Sequence, residues 1–186
     1  MAHGGIVEAM SYQIRLFGDP VLRQQASEVT DIDGRLARIV EDMVPVLRSA
    51  EGLGLAAPQV GVQKRFFVYD MGEGPRTLIN PVIEESEGEW VYNEGCLSVP
   101  GMSFEIVRPK TIHLRGLDLD GNEVSIEADE LLARLFQHEL DHLDGILLLD
   151  HLDKATRKQA LRTWRELTES PARPSGPGGV GSLLLP

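Results

Sequence analysis

The chain has 186 residues, 42% of them hydrophobic, which suffices for one packed core and falls short of two full domains. Its 29 acidic against 18 basic side chains give a formal charge of −11, which argues against a broad basic surface for DNA. No run approaches the roughly 20 apolar residues of a membrane span and no basic-then-apolar leader opens the chain, so the expected compartment is the cytoplasm, with no membrane association.

A single cysteine, Cys96, excludes an internal disulfide and suits a reducing environment, where a lone thiol is buried, reactive or metal-bound. Residues 1–10 lack periodicity and read as a loose N-terminal segment. From Asp33, placed as an N-cap, to about Ala50 the residues Leu36, Ile39, Val40, Met43 and Leu47 recur at helical spacing, with a kink expected at Pro45. The following Gly52-Leu53-Gly54-Leu55-Ala56-Ala57-Pro58-Gln59 reads either as a bland helix-exit turn or as a backbone able to approach a ligand closely. It lacks the lysine and the strand-to-helix setting of a phosphate-cradling loop.

Strand-like runs come next, at Arg65–Tyr69, Thr77–Ile83, Glu89–Tyr92, Thr111–Leu119 and Glu123–Ile126. With no helix between them to make parallel crossovers, antiparallel pairing is expected, helped by an Asp120-Gly121-Asn122 turn. A second helix is expected from Ala128 to Asp144, stopping at Gly145, with Leu131, Leu132, Leu135, His138 and His142 on one side. A third, Asp153–Glu169, carries Ala160, Leu161, Trp164 and Leu167 as its packing stripe, and the Pro/Gly-rich residues 170–186 read as a disordered tail. The expected fold is α+β, with short antiparallel sheets around a buried helix and a C-terminal helix, in one domain over residues 11–169.

The chemistry concentrates in His138-Glu139-Leu140-Asp141-His142. Residues four apart on a helix differ by about 40° and rise about 6 Å, so two such imidazoles can grip one ion, with Glu139 close enough to address a water on it. Ordinary buried core histidines are the alternative. A third ligand could come from His151 or Asp150 downstream, but neither sits in a supporting pattern. Cys96, within Glu94-Gly95-Cys96-Leu97-Ser98, is the better candidate, because a thiolate binds borderline divalent ions strongly and three protein ligands leave a place for water. A buried inert thiol is its alternative.

In order and spacing, Gly52–Gln59, Glu94–Ser98 and Gln137–His142 resemble the three signatures of the bacterial-type peptide deformylase family, and the likeness runs from about Ile14 to Asp150. The resemblance implies a hydrolase that removes the N-formyl group from the N-terminal methionine of newly made proteins. It implies metal ligation by Cys96, His138 and His142, a metal-bound water with Glu139 as general base, and oxyanion donors in the Gln59 side chain and the Leu97 main chain. One divalent ion is implied, Fe2+ in the cell, with Zn2+, Ni2+ or Co2+ accepted in preparations. Gly52, Leu53 and Gly54 are implied to line the substrate, the glycines as a close wall against an acetyl methyl, and Leu53, Leu97 and Leu135 to form a methionine slot; Leu135 reads equally as core.

The chain departs from a common family pattern where an arginine is expected soon after the second motif, since the first one is Arg108. Arg134 reads as a solvated helix residue, or as the missing positive group. Asp141 and Asp144 are candidates to orient a ligand imidazole. The helix over 153–169 holds five basic residues against three acidic ones, and some deformylases use such a helix to sit on the ribosome, so weak ribosome contact is expected there as the alternative to a solvated face. Glu84, Glu85, Glu87 and Glu89 read as a solvated strand edge or turn. Rival readings are a metalloprotease cutting internal bonds and a non-catalytic metal- or peptide-binding module.

Overall fold

The computed structural model describes residues 12–169; the segments read as a loose start and a disordered tail lie outside the described residues. Helix α1 spans Gly34–Ser49, with Asp33 Oδ1 accepting from the Arg35 and Leu36 N–H groups at 3.0 Å each. It buries Leu36, Val40, Met43 and Leu47 and runs on through Pro45, which lies on the exposed side, where water can reach the Glu41 carbonyl that the proline leaves unbonded.

Strands β1 (Gly54–Ala56), β2 (Phe66–Tyr69) and β3 (Arg76–Glu87) follow, then β4 (Trp90–Gly95), β5 (Ser103–Arg108), β6 (Thr111–Leu117) and β7 (Glu123–Asp129). Every pairing between them is antiparallel: a five-stranded sheet ordered β1-β2-β3-β6-β7 and a β4-β5 hairpin. The turn between β6 and β7 forms as its residues dictate, with Asp118 Oδ1 accepting from the Asp120 and Asn122 N–H groups and Gly121 at φ +81°. β1 and β5 have no counterpart in the expected strands, and β3 extends four residues past Ile83, carrying exposed Glu84, Glu85 and Glu87 on a strand paired to β6.

Helix α2 spans Glu130–Leu143. It begins two residues later than its pattern suggests, because β7 keeps Ala128 and Asp129 in the ladder with β6 and the chain turns into the helix through Glu130 at φ +41°. Gly145, at φ +74°, closes it as expected. Residues 133–140, together with His142 and Leu143, are buried, so α2 is enclosed on nearly all sides. Its apolar side joins Phe67, Tyr69, Leu78 and Leu114 in one core cluster, and α1 covers Leu55, Phe66, Val68 and Ile79 from the other face of the sheet.

Helix α3 spans Lys154–Glu169. Ala160 is its buried contact, Leu161 and Trp164 are partly buried against Cys96, Val99 and Ile106, and Phe17 meets the Trp164 ring edge-on at 5.9 Å. Leu167, expected in the stripe, is 47% exposed.

Candidate metal centre and active site

Cys96 follows directly on β4, where the chain leaves the hairpin and turns, the Val99 N–H donating to the Cys96 carbonyl at 2.9 Å. His138 and His142 come from successive turns of α2, and the two elements meet so that Cys96 Sγ lies 3.3 Å from His142 Nε2, itself 3.2 Å from His138 Nε2. All three ligand atoms lie within 4.8 Å of one another, and all three residues are buried. A tetrahedral ion with bonds of about 2.0–2.3 Å keeps such atoms about 3.3–3.6 Å apart, so the donor set fits a divalent metal in spacing as well as in kind. Zinc, ferrous iron, nickel and cobalt all accept one thiolate and two imidazoles.

The electrostatics favour a thiolate at Cys96 and a proton on His138 that a bound ion would displace. Burial by itself would raise the Cys96 thiol, but the adjacent imidazoles of His142 and His138 bring it down to about 5. Burial opposes the charge on His138 too, yet Cys96 and Glu94 together hold its pKa well above the ordinary value. Glu139 lies between the two histidines in sequence and is 1% exposed; burial pushes its carboxyl up to about 7, only partly countered by His138 and His142. A carboxyl of that strength exchanges a proton readily near neutral pH. Glu139 Oε2 and His142 Nδ1 are buried with no hydrogen-bond partner among the described residues.

His138 is oriented by Glu94, whose carboxylate can only accept. Its Oε1 therefore accepts a hydrogen bond from His138 Nδ1, at 2.6 Å, so that Nε2 is the nitrogen that would bind an ion once its own proton is displaced. Glu94 is wholly buried and also accepts two bonds from Arg108 at 2.9 and 2.7 Å and one from Arg134 at 2.7 Å. Burial would raise its pKa; Arg108 and His138 hold it well below the usual carboxylate range instead. Arg108 continues to Asp141 at 2.9 Å, and Asp141 to His151 at 2.7 Å. An ionic chain thus leads from the surface to the back of a candidate ligand.

Around this cluster the Gly52–Gln59 segment packs closely. A Cβ on Gly54 would overlap Glu139 Oε1 and stand 2.6 Å from Leu135 Cδ1; one on Gly52 would stand 2.8 Å from Leu97 Cδ1. Gln59 is 1% exposed, its Oε1 accepting from the Ala56 N–H at 2.8 Å and its Nε2 donating to Ser98 Oγ at 3.1 Å, which leaves one amide hydrogen over. Leu53 and Leu97 are half-buried, and Leu135 is core.

Cys96, His138 and His142 therefore come together, with Glu139 next to His138 on α2, Gly54 against Glu139, Gly52 against Leu97 and Gln59 against Ser98. His151 and Asp150 do not join: the first binds Asp141, and the second is bound by Arg23 and Arg157. Asp141 and Asp144 bond to neither ligand imidazole: Asp141 pairs with Arg108 and His151, and Asp144 with Arg65. That task falls to Glu94, which sequence reasoning missed although it opens the second motif. The solvated reading of Arg134 is overturned: the residue is fully buried, because a long polar side chain can lie inside when a carboxylate and aromatic faces receive it.

A family model described as "Polypeptide deformylase" matches residues 11–158. A peptide deformylase of Acidothermus cellulolyticus is 48% identical over 153 residues, covering 82% of this chain and 85% of that protein. Another, of Halothermothrix orenii, is 51% identical over 140 residues, 74% of this chain and 91% of that protein. Among solved structures, a peptide deformylase from Legionella pneumophila superposes with a TM-score of 0.83 at 36% identity, covering 87% of this chain and 98% of that one. One from Thermotoga maritima gives 0.74 at 46% identity, covering 76% and 97%. On a match spanning both histidines, the cysteine, and the helix and hairpin that position them, the chain belongs to the polypeptide deformylase family, metal-dependent hydrolases that free the N-terminal methionine of new proteins from its formyl group.

Proposed function

We propose that Cys96, His138 and His142 hold one divalent ion, Fe2+ in the cell, and that Glu139, Gln59 and Leu97 carry out deformylation beside it. The observation that carries this reading is the convergence of one sulfur and two Nε2 atoms beside a buried, otherwise unpartnered carboxyl. When bound, such an ion acidifies water and polarises a carbonyl. Glu139 takes a proton from the attacking water as its oxygen bonds to the formyl carbon. It then delivers that proton to the amine nitrogen as the C–N bond breaks, so that formate and a free amino terminus leave.

The spare hydrogen on Gln59 Nε2 and the main-chain N–H of Leu97 stabilise the negative oxygen of the tetrahedral stage, a contribution of about 2.7–4 kcal/mol for one such donor. Ser98 holds the Gln59 amide ready for this by accepting its other hydrogen. Gly52, Leu53 and Gly54 line the formyl-methionyl substrate, with Leu53 and Leu97 on the apolar side chain. Residues 11–169 act as the single catalytic domain, in the cytoplasm. The exposed Lys154, Lys158, Arg162 and Arg165 of α3 make weak contact with the ribosome.

Release of formate from formyl-Met-Ala-Ser by metal-loaded protein tests the reading, with Glu139→Ala as control. Expected are turnover by the wild type, and metal binding without turnover by the variant. A variant as active as wild type would remove Glu139 from the mechanism, and cleavage of unblocked proteins without formate release would favour a protease.

A further inference from the structure

Arg134 stands one turn before His138 on α2 and is the largest side chain wholly excluded from solvent among the described residues. An unmatched guanidinium there would be strongly destabilising; this one leaves its Nε without a hydrogen-bond partner among the described residues but is held at both terminal nitrogens and over two aromatic rings. Its Nη1 donates to Glu94 Oε2 at 2.7 Å, its Nη2 donates to the Trp90 carbonyl at 2.6 Å, and its central carbon lies 5.1 Å from the Trp90 ring and 5.7 Å from the Tyr92 ring.

Trp90, Tyr92 and Glu94 alternate along β4 and so share one face. One side chain of α2 thereby grips three successive same-face positions of the strand that leads into Cys96. Charge balance alone does not require it, because Arg108 already meets both oxygens of Glu94. What Arg134 adds is a fixed span between the Glu94 carboxylate and the Trp90 main chain.

We propose that Arg134 is a positioning residue for the metal centre. By holding Glu94 Oε2 and the Trp90 carbonyl together, it sets the register of β4 against α2. Glu94 Oε1 then meets His138 Nδ1, and Cys96, two residues further on, meets the imidazole Nε2 atoms. The inference rests on the reading that Cys96, His138 and His142 hold the ion.

The test loads full-length wild type, Arg134→Lys and Arg134→Met with Co2+. It records their absorption bands, the rate of Co2+ loss to a chelator, thermal unfolding, and the kcat and KM of formate release. Arg134→Met is expected to lose Co2+ at least about tenfold faster, with shifted bands and reduced kcat at unchanged KM. Lysine can reach Glu94 or the Trp90 carbonyl but cannot span both, so Arg134→Lys falls between the two.

A folded Arg134→Met with bands and loss rate within about twofold of wild type overturns the proposal, whatever its melting temperature, because Arg134 then serves stability alone. If Arg134→Met does not fold, Arg134→Lys decides: shifted bands with faster loss support the proposal, and wild-type behaviour overturns it. Absence of a thiolate-to-Co2+ band in the wild type would remove the Cys96 site itself, and Arg134's role with it.

Discussion

The Cα of Gly54 faces the carboxylate of Glu139 so closely that no side chain fits between them: a Cβ there would overlap Glu139 Oε1 and crowd Leu135 Cδ1 at 2.6 Å. The glycine motif thus shapes the place of the general base as well as the approach of substrate. Gly54→Ala is expected to displace the carboxylate and lower kcat by about 10²-fold, the scale of a 1 Å misplacement, while metal content stays at wild-type level. Gly52→Ala meets only the flexible ends of Leu97 and Leu47 and should cost much less. Steady-state kinetics with metal analysis checks both; a Gly54→Ala enzyme within twofold of wild type would deny the contact its role.

Glu94 is the shared acceptor for Arg108, Arg134 and His138, all buried. Glu94→Ala leaves the buried Arg134 without a carboxylate and Arg108 with Asp141 alone, and should destabilise the fold by on the order of 3–5 kcal/mol, read as a drop in denaturant midpoint. Glu94→Gln keeps the shape, removes the charge, and should lose less stability while still weakening metal retention. Equal stability of Glu94→Ala and wild type would contradict this.

Much of this centre is legible in the sequence. The His138–His142 spacing fixes two imidazoles on one helical side, and Cys96 was the only thiol able to join them. The partners behind the ligands were less legible, because periodicity reports which residues are apolar and says nothing of a polar side chain that is buried because it is paired. Arg134 and Arg108 were therefore misjudged or left unassigned, although each lies within reach of Glu94 once β4, β5 and α2 come together. β1 escaped for a different reason: three buried residues, Gly54 to Ala56, show no alternation, and only pairing with β2 makes them a strand. In β5 the alternation does exist, but it lies between a turn and Pro109 and is too short to stand out.

An ion that binds only the folded chain stabilises it by mass action, by about 2.7 kcal/mol when free metal stands at 100 times Kd. Chelation should therefore abolish formate release and lower the melting temperature, and adding Fe2+ back should restore both. Cys96→Ala should melt at the same temperature with and without chelator. With iron as the native ion, anaerobic purification should retain activity that aerobic purification loses; equal, lasting activity under both would count against iron.

Asp150 ties the N-terminal region to α3 by accepting from Arg23 and Arg157. Burial alone would raise its pKa, but the Arg23 bond and the Leu147 N–H hold it below the ordinary value. Its contribution to stability is thus complete above the unfolded carboxyl's pKa of about 3.9 and is lost as pH falls through the lower folded value. Asp150→Asn should be less stable than wild type at pH 7, with the difference shrinking below about pH 4. Urea melts across that range check it, and a difference that grows on acidification would reverse the sign.

X-ray absorption at the metal edge of the loaded protein measures the ligand set directly. Convergence of Cys96, His138 and His142 on one ion predicts one sulfur at about 2.3 Å and two imidazole nitrogens at about 2.0–2.1 Å. A first shell of nitrogen and oxygen alone, unchanged in Cys96→Ser, would contradict it.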